Sequence, residues 1–144
     1  MLSAKLFAAL AILQLALAPL KLSRGGLDVY SHGTYRVIPN SQLQIWMALV
    51  SAFFALIYFA AFRWLPRPLS NSLGLAHFVM VTAGLVLFWV TISTPISVIP
   101  PTPAQDITLL VAVFSIALGC VLLAVNCVWT VAVAFRSPKR PSPA

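Results

Sequence analysis

Acidic side chains are almost missing from this chain. Only Asp28 and Asp106 are acidic, only His32 and His77 are histidines, and only Cys120 and Cys127 are cysteines. His32 precedes one long apolar run and His77 opens another, so a bilayer core of about 30 Å separates them in a membrane reading. With this set the chain cannot by itself assemble a carboxylate pair, a nucleophilic triad or a metal cluster. No glycine-rich phosphate loop is present. The cysteines lie on one predicted helix with backbones about 10 Å apart. That is beyond disulfide reach, and they read as small apolar packing residues. Basic clusters with interleaved aromatics are also lacking, which excludes the usual signature of nucleic-acid binding.

What is present is apolar surface. Of 144 residues, 61% are hydrophobic and 8% charged, and the mean hydropathy is +1.00, far from soluble globular composition. Four runs are long enough to cross a bilayer, which takes about 20 residues each: roughly 2–20, 43–62, 73–92 and 107–135. The expectation is an all-α integral membrane bundle of four transmembrane helices over residues 1–136, followed by a basic, Pro/Ser-rich disordered tail over 137–144. A signal peptide is the alternative for the first run, with Lys5 as its basic region and Ala16-Leu17-Ala18 before the cut. That cut would place Pro19 first in the mature chain, and the run is long for a signal, so an uncleaved helix is favoured.

The net charge of +7 is best read by location. With a cytoplasmic N-terminus, Lys5, Arg63, Arg67, Arg136, Lys139 and Arg140 fall inside, and Lys21, Arg24 and Arg36 outside. This positive-inside bias predicts both termini in the cytoplasm, and a bacterial inner membrane is the expected location. Residues 21–42 and 93–106 then form outer loops, the second proline-rich and extended. Ser41 with Gln44 has capping-box spacing at the start of helix two. Thr102-Pro103-Ala104-Gln105 places Pro at the first position of helix four. Trp46, Trp64, Trp89 and Trp129 near helix ends suit interfacial anchors. Ala48, Ser51, Ala52 and Ala55 would let a neighbouring helix approach closely, and Gln14, Gln44 and Asn126 suit interhelical hydrogen bonding. The short connection after Trp64 makes helices two and three expected antiparallel neighbours.

One polar stretch stands out between apolar runs: LDVYSHGTYRVIPNSQ, from Leu27 to Gln42. Leu27, Asp28, His32, Thr34, Tyr35 and Val37 in this spacing, with Trp64-x-Pro66 and Leu73-Gly74-x-x-His77-Phe78 further on, resemble the segments around helices nine to twelve of subunit I of the haem-copper (cytochrome c) oxidases. Gly84 and, loosely, Gly119 and Asn126 fit the same frame. The resemblance implies a haem site, but the positions that carry the family's two ligand histidines hold Asn40 and Gln42 here. Amides are poor axial ligands. Gly33 stands where the family has an acid beside the histidine. No catalytic, cofactor or metal residue is therefore assigned. The retained motif, Asp28, His32, Thr34, Tyr35, Arg36 and His77, is a candidate partner-facing surface.

Simpler roles are available to each of these residues. Asp28 and His32 can pair locally across a turn, and Arg36 can meet Asp28 or lipid headgroups. His77 can cap helix three or bond across to helix two, and Asn40, Ser41 and Gln42 can form a helix cap. The resemblance implies an accessory, non-catalytic subunit of a respiratory or related oxidase complex, with the bilayer and other membrane subunits as partners and no cofactor bound by this chain. Its alternative is one piece of a split oxidase, with haem and copper held by another chain.

Overall fold

The computed structural model describes residues 2–20, 26–31, 34–65, 68–93 and 103–136. Helix α1 spans Leu2–Leu17 and closes in a 3-10 turn at Ala18–Leu20, as Pro19 dictates. Strands β1 (Gly26–Ser31) and β2 (Thr34–Pro39) follow, then α2 (Asn40–Trp64), α3 (Asn71–Ser93) and α4 (Pro103–Arg136). All four helices are long and apolar enough to cross a membrane, and the chain is a multi-pass membrane protein. At 34 residues α4 is about 51 Å long, more than a bilayer core, so it tilts or protrudes. Its first residue is Pro103, as the sequence predicts.

The expected bundle of four helices is present, with one addition. The expected outer loop contains an antiparallel hairpin, with Gly26 opposite Pro39, Asp28 opposite Val37, Val29 opposite Arg36 and Ser31 opposite Thr34. Its strands are rich in β-branched and aromatic residues, and only His32 and Gly33 lie between them, a connection length typical of tight hairpins. β2 runs directly into α2, with Pro39 extended at φ −60°, ψ 147° as the N-cap and without a side-chain cap hydrogen bond. The expected Ser41–Gln44 capping box is therefore absent. The helix starts at Asn40, so Ser41 and Gln44 already lie inside it, and Gln44 is buried.

Helix packing follows a seven-residue rhythm. On α1 the buried set includes Ala4, Phe7, Ala11, Gln14 and Ala18, and on α2 it includes Gln44, Met47, Ser51, Phe54 and Tyr58. Steps of three and four residues on both helices make facing seams of the kind that pack side by side at shallow angles. Accordingly α1 packs on α2 and α3 on α4, with a smaller α1–α3 contact. Contact between α2 and α3 is sparse, which revises the expectation that their short connection makes them principal neighbours. Their contacts include those of His77 with Phe54 and Tyr58.

The two helix pairs are fastened differently. Between α1 and α2, Ser51 Oγ lies 3.1 Å from Gln14 Oε1 and also donates toward the Met47 carbonyl at 2.9 Å. Between α3 and α4, the backbones themselves approach. A Cβ on Gly84 would stand 2.8 Å from the Ala112 carbonyl oxygen and 2.6 Å from Ile116 Cγ1, and one on Gly119 would stand 2.6 Å from Val81 Cγ2. Small residues at such crossings are how membrane helices gain dispersion contact where lipid and side chain are equally apolar.

Candidate functional site

Every histidine in an apolar span is a functional candidate until its surroundings are known. His77 lies in the second turn of α3 and is fully buried. Its Nδ1 is 3.0 Å from the Tyr58 hydroxyl of α2. This is the cross-helix bond that the sequence reading allows, while the capping role is not adopted.

Aromatic rings close around the pair. The His77 ring centroid is 4.7 Å from that of Phe54, nearly perpendicular to it, 5.0 Å from Phe7 and 5.6 Å from Tyr58. Phe78 meets Phe7 edge-on at 5.0 Å. Phe7 comes from α1, Phe54 and Tyr58 from α2, and His77 and Phe78 from α3, so this cluster joins three helices. Such edge-to-face and tilted ring pairs each contribute about 0.5–1.5 kcal/mol beyond burial. On the α4 side the imidazole lies beside Gly119, where a Cβ would stand in ordinary contact, 3.4 Å, with His77 Cδ2. His77 Nε2 is buried without a hydrogen-bond partner among the described residues. A neutral imidazole accepts through one nitrogen and donates through the other. Either Nδ1–H donates to the Tyr58 oxygen and Nε2 is a bare acceptor, or the Tyr58 hydroxyl donates to Nδ1 and Nε2 carries the proton.

A second polar contact lies near Tyr58. Asn126 on α4 is fully buried and grips the backbone of Ser70, accepting from its N–H at 2.9 Å and donating to its carbonyl at 3.1 Å. That carbonyl also accepts from Gly74 N–H at 3.0 Å, which starts the α3 ladder. Asn126 therefore pins the entry of α3 to α4. Between these groups a cavity of about 20 Å³ is lined in part by Ser3, Tyr58, Ser70 and Asn71. Phe62, Pro68 and Leu69 complete a lining of mixed character, and the volume suits about one water.

Of the other expected residues, Gln42 lies far from His77. Gln42 is exposed near the start of α2, and the sixteen residues from it to Tyr58 span about 24 Å of helix. Asp28, Thr34, Tyr35 and Arg36 belong to the hairpin, where Asp28 faces Val37 in register and Arg36 faces Val29, so the two are not register partners. His32, the second outer loop over 94–102 and the tail over 137–144 lie outside the described residues. Among the described residues no three His, Cys, Asp or Glu side chains gather as a metal set. Trp46, Trp64 and Trp129 are exposed as anchors should be, but Trp89 packs half-buried against the core.

Sequence reasoning passed over Tyr58 and Phe7. A signal for Tyr58 existed: it is the one tyrosine inside a predicted span, and a hydroxyl at that depth needs a partner. For Phe7 there was none, since nothing distinguishes it from its apolar neighbours. No family model, no curated protein and no solved structure matches the chain.

Proposed function

We propose that this protein is a non-catalytic accessory subunit of a membrane complex, acting by lateral helix packing. The resemblance of its motifs to subunit I of the haem-copper oxidases makes a respiratory or related oxidase the assembly of choice, in a bacterial inner membrane with both termini cytoplasmic. The observation that carries this reading is the use made of His77: the one histidine among the described residues is hydrogen-bonded to Tyr58 and flanked by rings from α1 and α2. Its role is to hold helices together. The outward faces supply the surface for neighbours. In α4 only 17% of the most apolar window is buried, against 28% in each other helix, which makes α4 the face most open to lipid or to another subunit.

Isolation from native membranes, with an absorption spectrum of the eluate, tests the proposal. The expected result is co-isolation with a haem-bearing multi-pass chain that carries all its own ligand histidines. A truncated partner, lacking the ligands of its last helices and inactive when this chain is removed, would instead establish the split oxidase.

A further inference from the structure

The geometry points to a binding groove for an anionic phospholipid on the outer face of the α1–α2 pair, with one acyl chain along the groove and the phosphate at Lys5 and Arg63. The inference is independent of the oxidase reading. Its basis is a groove of about 550 Å³ with Ala8, Ala11, Ala52 and Ala55 among its lining residues, a volume ordinary for a small-ligand site. The alanines are the reason it exists: each leaves free the space a leucine would fill between two closely packed helices. Along α1 the lining runs from Ala4 to Leu15, with ten residues of rise from the charged Lys5 to its far end. Ten residues rise about 15 Å, which is the depth of one leaflet of a core about 30 Å thick.

Charge selects the occupant. Lys5 is the only charged residue in the lining, is exposed, and stands at one end. Arg63 follows the lining residue Phe59 by about one turn of α2 and is also exposed, so it continues the same face toward that end. Both long stems can lie on the apolar surface and hold their charges at headgroup level. A trough one leaflet deep, apolar along its length and cationic only at its mouth, matches a phospholipid carrying net negative charge. A second helix seated there would have to cover Lys5, and burying an unpaired cation is unfavourable.

The test uses the full chain reconstituted in phosphatidylcholine vesicles. Phosphatidylglycerol or phosphatidylcholine, each spin-labelled near the chain end, is added as the probe, and the motionally restricted fraction is read by electron paramagnetic resonance. Wild type should restrict phosphatidylglycerol in preference to phosphatidylcholine by about fivefold, the scale of one surface cation. High salt should shrink the preference. The double variant Lys5→Gln/Arg63→Gln should abolish it, and Ala52→Phe, which fills the groove from α2, should lower the restricted fraction of both probes. Equal restriction of the two probes by wild type overturns the proposal, as does a preference that survives the double variant. A restricted fraction unchanged in Ala52→Phe overturns it too, as does a lipid-free dimer cross-linked through Ala8 and Ala52. Should the double variant fail to fold, the salt response of wild type decides.

Discussion

The two helix pairs associate by opposite means. The α1–α2 pair is joined by what its side chains add: the Gln14–Ser51 hydrogen bond and the rings of Phe7, Phe54 and Tyr58. The α3–α4 pair is joined by what its side chains omit, with Gly84 against the Ala112 carbonyl and Gly119 against Val81. His77 is one place where the two meet, hydrogen-bonded to Tyr58 of α2 and lying beside Gly119 of α4. In a solvent as apolar as the side chains, transferring an aliphatic group from lipid to protein contributes little, and close packing and polar bonds decide which helices associate.

The sharpest way to break this contrast is to delete atoms from one pair and add them to the other. Phe7→Ala should cost the most, about 3 kcal/mol or more, because the fully buried ring leaves a void at the junction of three helices. Reversible unfolding in mixed micelles measures it. Gly84→Ala adds a single methyl and should still cost about 1–3 kcal/mol, since the Cβ meets backbone and cannot be accommodated by a rotamer change. The reverse edit makes the comparison: Ala11→Gly on α1 should cost less than Gly84→Ala, although both change one methyl group. If Gly84→Ala were neutral, backbone closeness would not be what joins α3 to α4.

The junction itself comes next in size. Tyr58→Phe strands the buried His77 Nδ1 and should cost about 1–3 kcal/mol, while Tyr58→Phe with His77→Phe should recover a good part of the loss by removing both polar groups. A double-mutant cycle reads the coupling directly. Smallest is Ser51→Ala, at about 0.6 kcal/mol, the average for a hydrogen bond between membrane helices. The loss is modest because the hydroxyl proton is divided between Gln14 and the Ser51 helix's own Met47 carbonyl.

Much of this architecture is legible in the amino acids alone. Four apolar runs place four helices, and Pro103 marks the start of α4. Amides inside apolar runs identify interhelical bonds, as Gln14 bears out, while Asn126 instead holds the Ser70 backbone just before α3. Which helices pair is not legible, because lipid-facing residues are as apolar as core residues and hide the seven-residue rhythm of the buried seams. Phe7 and Phe53 look alike in sequence, yet one is fully buried and the other exposed. The hairpin was legible in principle: alternating Val29, Tyr30, Tyr35 and Val37 around His32-Gly33 fit strands joined by a tight turn. Polar composition and the resemblance to an oxidase loop masked that pattern. The Ser41–Gln44 spacing misled because its hydrogen bonds depend on where the first helical turn begins, and the incoming strand sets that point at Asn40. Within the site, His77 was visible and Tyr58 half-visible. The rings around them belong to packing, which no local pattern encodes.

The central claim is that His77 serves structure, its Nε2 unpaired among the described residues and buried inside the bundle away from any haem. The optical spectrum of the chain purified alone from haem-replete cells tests it most directly. The account predicts no Soret band at stoichiometric level, and no change in the spectrum on Tyr58→Phe or His77→Gln. A band corresponding to one haem per chain, lost in His77→Gln, would contradict it.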